Sequence, residues 1–159
     1  MNNKIINIFI FIVSMFFISC IGVPGGTHGY IKRYRYSINK DLLANAVNSV
    51  IRTEQTIDVD SVHNEYNDGD NYISINIATL KGVYSYVIHY YGSKEYWDTS
   101  KTSAISLVYA YNEKREGGSA GNGGIKWYNF NLKKQLIQPL EQEFISKVDK
   151  ELDMKHTEE

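Results

Sequence analysis

The chain has a single cysteine, Cys20, and almost no excess of charge of either sign. One cysteine cannot form a disulfide within the chain, nor can it supply the several thiolates of a zinc or iron–sulfur site. Lysine and arginine number 17 against 18 aspartate and glutamate residues, so the net charge is −1. This balance lacks the basic surface typical of nucleic-acid binding. We therefore expect a fold that depends on its hydrophobic core, with neither a thiolate metal site nor a nucleic-acid partner.

An apolar run occupies the N-terminus. Lys4 precedes residues 5–18, which are apolar except for Asn7 and Ser14, and the run closes at Ser19 and Cys20. A positive charge, a short apolar region and a small residue before the cleavage point are typical of a secretory signal. A membrane-spanning helix needs about 20 apolar residues, and this run is shorter. The pattern therefore predicts an exported protein.

Residues 17–20, Phe-Ile-Ser-Cys, resemble the lipobox of bacterial lipoproteins, in which the cysteine is acylated and becomes the mature N-terminus. The resemblance implies a signal peptide over residues 1–20, cleaved before Cys20, and a lipid bilayer partner through the acylated Cys20. Surface-export signals of such lipoproteins place acidic residues after the cysteine, and residues 21–29 contain none. The resemblance therefore implies a lipid-anchored protein of the cell envelope, at the outer membrane and facing the periplasm. The alternative is an ordinary secretory signal cleaved nearby.

The rest of the chain divides into three parts. Residues 21–29 are a glycine-rich stretch that cannot form a core, and we expect a flexible tether there. Residues 30–152 contain the periodic hydrophobic patterns of a folded domain. Residues 153–159 are polar, and we expect a frayed tail.

Hydrophobic periodicity predicts the elements of the domain. Asn39 is a helix cap, and an apolar stripe follows it at helical spacing; its members are Leu43, Ala46, Val47, Val50 and Ile51. A second helical stripe near the C-terminus contains Leu136, Leu140, Phe144, Val148 and Leu152. Because Pro139 interrupts this stripe, we expect its well-formed helix to begin at about residue 139.

Segments with strand character lie around and between these helices. They are residues 30–36, 57–62, 73–78, 83–91, 103–112 and 125–130. In residues 103–112, strict alternation places Ile105, Leu107, Tyr109 and Tyr111 on one face. Turn residues between the segments favour hairpins over parallel crossovers. The sequence therefore predicts a single α+β domain, with a mostly antiparallel sheet of about four or five strands and an N-terminal and a C-terminal helix.

Aromatic residues at two loops are the candidate partner-binding residues. Tyr96, Trp97 and Asp98 lie in a polar loop, and Trp127 and Tyr128 follow a glycine-rich loop. Tryptophan and tyrosine are enriched at the centres of protein interfaces, so an exposed pair of such loops predicts protein recognition. The alternative is that both tryptophans belong to the core.

No residue set predicts a catalytic, cofactor or metal site. The glycine-rich residues 117–124 end before Ile125, where a phosphate-binding loop has Lys-Ser/Thr. Strand alternation places His63 on the opposite face from Asp58 and Asp60, which argues against a metal site. No serine lies in a recognisably activated setting, and we assign no catalytic residue, no cofactor and no metal.

These observations favour a non-catalytic function. We expect a binding or accessory subunit of an envelope assembly, such as a secretion apparatus, with a protein partner. An immunity-type lipoprotein that neutralises an exported toxin is one alternative, and a small envelope hydrolase is another. Clustering of His63 or His89 with carboxylates in a cleft would favour the hydrolase, and an exposed aromatic patch would favour binding.

Overall fold

The computed structural model describes residues 29–63, 72–120, 125 and 129–158. The predicted signal peptide with Cys20 lies outside these residues, as do most of the tether and the candidate residues Trp127 and Tyr128. Within the described ranges, no helix is long and apolar enough to cross a membrane.

The described residues form one α+β domain with a seven-stranded sheet. The strands are β1 (Lys32–Tyr36), β2 (Ile57–His63), β3 (Tyr72–Thr79), β4 (Gly82–Tyr90), β5 (Ser103–Tyr111), β6 (Gly117–Ser119) and β7 (Thr157–Glu158). The predicted α+β class is confirmed, whereas the predicted number of four or five strands is too low. Strands β6 and β7 have three and two residues, too few to show the period of two by which a strand is recognised.

The sheet order is β2-β3-β4-β5-β1-β7, with β6 paired to β5, and all the described pairings are antiparallel. Strands β2 to β5 follow one another along the chain and across the sheet. The first strand, β1, then pairs with β5, from Lys32 opposite Leu107 to Tyr36 opposite Ser103. The short β7 pairs with the other side of β1.

Helix α1 (Lys40–Thr53) agrees with the sequence pattern. The Asn39 side chain accepts a hydrogen bond from the backbone N–H of Leu42 at 2.9 Å, which confirms the predicted cap. The predicted stripe is buried at its first four positions, Leu43, Ala46, Val47 and Val50. This stripe packs on one face of the sheet, which we call the inner face.

A short helix, α2 (Lys94–Thr99), connects β4 to β5. The C-terminal helix then consists of α3 (Phe130–Leu140), a π-helical turn (Glu141–Ile145) and α4 (Ser146–Glu151). Its apolar stripe is buried on the inner face at Leu136, Leu140, Phe144 and Val148, as predicted.

The C-terminal helix begins earlier than predicted. Phe130 opens α3 after the capping residue Asn129, so the expected strand over residues 125–130 does not extend to Phe130, and Pro139 lies inside the helix. Proline has no N–H group, so the carbonyl of Gln135 lacks its usual helical donor. The chain nevertheless continues in a helical path, and a π-helical turn follows directly.

A β-bulge changes which side chains of β5 reach the core. Val87 pairs with Tyr109 and Ile88 pairs with Leu107, so Val108 is an extra residue in β5. The extra residue reverses the alternation. Ile105 and Leu107 therefore lie on the inner face, whereas Tyr109 and Tyr111 lie on the opposite, outer face. The prediction that these four residues share a face is wrong.

A second bulge lies in β2, between Val59 and Ser61. Position 58 pairs with Asn76 and position 63 pairs with Tyr72, and these two partners lie on the same face of β3. The register therefore places positions 58 and 63 on one face, which overturns the expectation from simple alternation.

Candidate functional site

The outer face of the sheet carries a group of stacked aromatic and basic side chains at one end of β1. We call Tyr30, Arg33, Tyr91 and Tyr96 the Arg33 cluster. The guanidinium carbon of Arg33 lies 3.9 Å from the ring centroid of Tyr30 and 3.9 Å from that of Tyr91. The Arg33 Nε–H also donates to Ser106 Oγ at 3.3 Å. Two aromatic rings and a serine thus fix the orientation of one cation on the sheet surface.

The turn after β4 positions the aromatic half of this cluster. The backbone N–H of Tyr91 donates to the carbonyl of Ala104 at 2.9 Å, which holds Tyr91 beside β5. Gly92 follows with φ of 115° and allows the chain to turn sharply. A Cβ atom at Gly92 would collide with the ring of Tyr96 and lie 2.9 Å from Nε1 of Trp97. Glycine is therefore required for α2 to pack closely against the strand end.

Tyr96 extends the cluster beyond Tyr91. The two rings meet edge to face, with centroids 6.1 Å apart and an interplanar angle of 74°. The Tyr96 hydroxyl forms a hydrogen bond with Oγ1 of Thr102 at 3.1 Å. Hydrogen bonds from Ser100 and Thr102 lower the pKa of Tyr96, and the nearby arginine charges act in the same direction. These contacts favour the anionic form of the phenol beside Arg33 and Arg35.

Tyr30 and Tyr91 remain partly accessible, with 38% and 40% of their surface exposed. Further along the same face, Tyr72 stacks on His89 with ring centroids 4.5 Å apart. Tyr109 stacks on Tyr111 at 6.5 Å. The outer face thus carries three groups of aromatic side chains, one of which surrounds a fixed arginine.

Trp97 has a different environment from that expected of an exposed anchor. It is partly buried and packs against the hydrophobic core. Its Nε1–H donates to the carbonyl of Tyr91 at 2.9 Å, and the ammonium group of Lys40 lies 3.1 Å from the centroid of its ring. Trp97 therefore fastens α2 to the domain. Asp98 is exposed, and both residues line a cleft of about 870 Å³ between α2 and the start of α1.

The predicted candidates are only partly brought together. Tyr96 belongs to the Arg33 cluster, and Trp97 lies next to it on the core side. Trp127 and Tyr128 lie outside the described residues, so their expected proximity to Trp97 stays a prediction. Tyr30 and Arg33 were missed, although the alternating basic and aromatic residues 30–36 are a signal for them. Tyr91 was missed because it lies 58 positions from Arg33 in the sequence.

Two short sequence patterns that are typical of serine nucleophiles occur in the chain. Residues 117–121 match Gly-x-Ser-x-Gly, and Ser37 and Lys40 have the Ser-x-x-Lys spacing. A nucleophile elbow is a strained turn between a strand and a helix. Ser119 instead lies in β6, paired with Tyr109, and its φ is not positive. The Lys40 ammonium lies over the ring of Trp97 in a cation–π contact, and this orients it towards the ring.

The sequence also missed a polar cluster near the C-terminus. His156 Nδ1 lies 3.0 Å from the carboxylate of Asp149, and the Tyr36 hydroxyl donates to the same carboxylate at 2.9 Å. The ring of Tyr34 meets His156 edge to face, with centroids 5.1 Å apart. The expectation of a frayed tail therefore does not hold for this part of the chain, since His156 is held and β7 follows it directly.

This cluster supports the fold rather than a reaction. Burial raises the pKa of both Tyr34 and Tyr36, and neighbouring carboxylates raise it further, so neither phenol is prepared to act as a nucleophile. The Lys32 ammonium joins β7 to the C-terminal helix through ion pairs with Glu158 and Glu141. Burial alone would lower the pKa of Lys32, but these two carboxylates raise it. These contacts hold the C-terminal helix and β7 against β1.

Within the described ranges, no group of three or more histidine, cysteine, aspartate or glutamate residues could hold a metal ion. Neither a protein-family model, nor a curated protein, nor a solved structure matches this chain.

Proposed function

We propose that this chain is a lipid-anchored, periplasm-facing envelope protein that binds a protein partner through its outer sheet face. The observation that carries the proposal is the position of Arg33 between Tyr30 and Tyr91. Arginine and tyrosine are among the residues that most often dominate binding energy at protein interfaces. A guanidinium already held between two rings loses little further freedom when a partner binds, and such preorganisation raises affinity.

The proposal includes acylation of Cys20. The thiol is the only one in the chain and supplies the thioether site, so no other residue can replace it. Cys20→Ala should leave an uncleaved precursor that takes up no labelled fatty acid. Equal labelling of the variant and the wild type would contradict the anchor.

Photo-crosslinking in intact cells tests the binding face. A photoreactive phenylalanine at Tyr91 keeps an aromatic ring beside Arg33, and the same residue at the fully exposed Leu80 of the β3–β4 turn provides the control. We expect a discrete adduct with one envelope protein from position 91 and none from position 80. An adduct of equal yield at both positions, or at neither, would overturn the proposal.

A matched pair of substitutions then tests the role of the arginine. Arg33→Ala should greatly reduce the adduct from position 91. Arg33→Lys keeps the charge but loses the planar group that stacks between the rings, so it should also weaken the adduct. If Arg33→Lys binds like the wild type, charge alone explains the binding and the stacked geometry has no part in it.

The identity of the captured protein separates the possible settings. A subunit of an envelope machine such as a secretion apparatus would identify the chain as an accessory subunit. An exported toxin would identify it as an immunity-type lipoprotein.

A further inference from the structure

A second surface, at the start of α3, combines an exposed aromatic ring with two lysines. Phe130 is the first residue of α3, and 69% of its surface is exposed. The Asn129 side chain accepts a hydrogen bond from the N–H of Leu132 at 3.2 Å and so fixes the first turn. Lys133 and Lys134 follow three and four positions after Phe130, on the same side of the helix. We call Phe130, Lys133 and Lys134 the α3 surface.

The α3 surface borders a shallow groove of about 560 Å³. Ile137, Gln138, Glu141 and the side chain of Lys32 also line this groove. Lys32 is ion-paired with Glu141, so Lys133 and Lys134 supply the positive charge of this surface. Lysine stems lie along apolar surface while their ammonium groups reach a polar phase. An aromatic residue beside lysines on a helix is the composition that binds at a membrane interface, with the ring at the acyl boundary and the cations at the headgroups.

The described domain begins near this surface. Gly29, where the described domain begins, is close to Ala120 at the end of β6, since a Cβ atom on Gly29 would lie 3.5 Å from the Cβ of Ala120. Helix α3 packs near β6. Cys20 precedes Gly29 by nine residues, and nine extended residues span at most about 30 Å. An acylated Cys20 would therefore lie within about 30 Å of Gly29, which is near enough for the α3 surface to reach the bilayer.

We propose that the α3 surface docks on the anionic phospholipid headgroups of the membrane that holds Cys20. This inference rests on the proposed function for its lipid anchor. The tether makes docking an intramolecular step, so a weak surface contact is enough to orient the domain. Two lysines attract an anionic leaflet, and Phe130 enters the boundary between headgroups and acyl chains. Docking on this side leaves the outer face, on the opposite side of the sheet, available to a partner.

A fluorescent probe at position 130 tests the docking in the full acylated chain. Because acylation consumes the Cys20 thiol, Phe130→Cys provides the one reactive thiol for an environment-sensitive label. Leu80→Cys gives the control, since Leu80 is a fully exposed apolar residue in the β3–β4 turn. Each protein is reconstituted into phosphatidylcholine vesicles with and without phosphatidylglycerol, and quenching by shallow spin-labelled lipids is measured. Intact-mass spectrometry of the same samples reports acylation.

We expect the label at position 130 to shift to shorter wavelength and to be quenched in phosphatidylglycerol vesicles, and the label at position 80 to remain unquenched. High salt should reverse the quenching, because headgroup attraction is screened. Lys133→Gln with Lys134→Gln should lower the ratio of docked to undocked protein by about 30-fold, since each lysine near an anionic surface contributes about 1 kcal/mol.

Three results would overturn the inference in distinguishable ways. An acylated protein whose label at position 130 is not quenched refutes docking and leaves the anchor intact. Equal quenching at positions 130 and 80, or quenching unaffected by the lysine changes, refutes this surface as the contact. A mass without acyl groups refutes the anchor, and the docking argument fails with it.

Discussion

The hydroxyl group of Tyr86 donates a hydrogen bond to the carbonyl oxygen of Leu136 at 2.8 Å. Tyr86 comes from the middle of the sheet, and its side chain is almost completely buried. Leu136 follows Gln135, and the Gln135 carbonyl lacks its helical donor because Pro139 has no N–H group. A side chain of the sheet thus donates a hydrogen bond to the C-terminal helix, one residue from the carbonyl that Pro139 leaves unpaired within the helix.

Tyr86→Phe should destabilise the domain by about 1–3 kcal/mol, because a buried carbonyl loses a hydrogen bond without gaining water. Tyr84→Phe is the matched control, since the Tyr84 ring stacks on Tyr86 with centroids 6.4 Å apart but is half-buried. That change should stay within about 0.5 kcal/mol. Urea unfolding of the chain without residues 1–28 measures both values. Equal losses in the two variants would show that the hydrogen bond is not the cause.

Phe144 should be one of the most sensitive positions of the C-terminal helix. Its side chain is fully buried in the π-helical turn. Phe144→Ala should cost about 3–5 kcal/mol through lost burial and the cavity left behind, which is much of the stability of a small domain. Phe130→Ala on the same helix removes an exposed ring and should leave the unfolding midpoint nearly unchanged. A tolerated Phe144→Ala would mean that the buried stripe does not stabilise the fold.

Substitution of Trp97 should lower the stability of the domain as well as partner binding. Trp97→Phe removes the hydrogen bond to the carbonyl of Tyr91 and should cost about 1 kcal/mol. Trp97→Ala also removes a packed ring, and we expect a larger loss, of about 2 kcal/mol for a partly buried site. Thermal unfolding of the two variants provides the measurement. If Trp97→Ala unfolds like the wild type and only partner binding is lost, then Trp97 is the exposed anchor that the sequence predicts.

Stability should fall at alkaline pH. Burial raises the pKa of Tyr34, Tyr36, Tyr86 and Tyr90 above the usual value of 10.0. Above pH 10.0 the unfolded chain therefore releases protons that the folded chain retains. The contribution of these tyrosines is fully present below that pH, and it is lost as the pH rises further. Urea unfolding as a function of pH should show stability falling from about pH 10 upwards.

Tyrosinate absorbance provides an independent check of the same effect. The folded protein should ionise fewer tyrosines at alkaline pH than the urea-unfolded protein does. Tyr96 should ionise early because its pKa is lowered, so Tyr96→Phe should remove the first part of the titration curve. If all the tyrosines titrated together near pH 10 with native circular dichroism retained, the buried phenols would be more accessible than the structure indicates.

Hydrophobic periodicity predicted the two apolar helix stripes, because local spacing determines which of their residues are buried. The apolar stripe of α1 and the stripe from Leu136 to Val148 follow from a period of 3.6, and the structure buries both. The bulge at Val108 has no such signal. One extra residue moves Tyr109 and Tyr111 to the outer face, and this depends on how β5 pairs with β4 rather than on β5 alone.

Contacts between distant segments account for the other differences. Pro139 indicates a helix start when only neighbouring residues are considered, yet tertiary packing carries the helix through it. The sequence alone places His156 in a polar tail, but in the structure Asp149 and Tyr36 lie close to it. The stacking of Arg33 on Tyr91 joins residues 58 positions apart, and no local pattern specifies such a pair.

The pairing of β1 has a consequence for how the chain reaches its native state. Lys32 pairs with Leu107, and Tyr34 pairs with Glu158, which lies near the other end of the chain. Closing loops of this length has a large entropic cost, so such contacts form slowly and after local hairpins. We expect the β2–β5 meander to fold first and β1 to join it later. Because β7 is at the C-terminus, the second side of β1 would stay without its partner until the last residues of the chain have been synthesised.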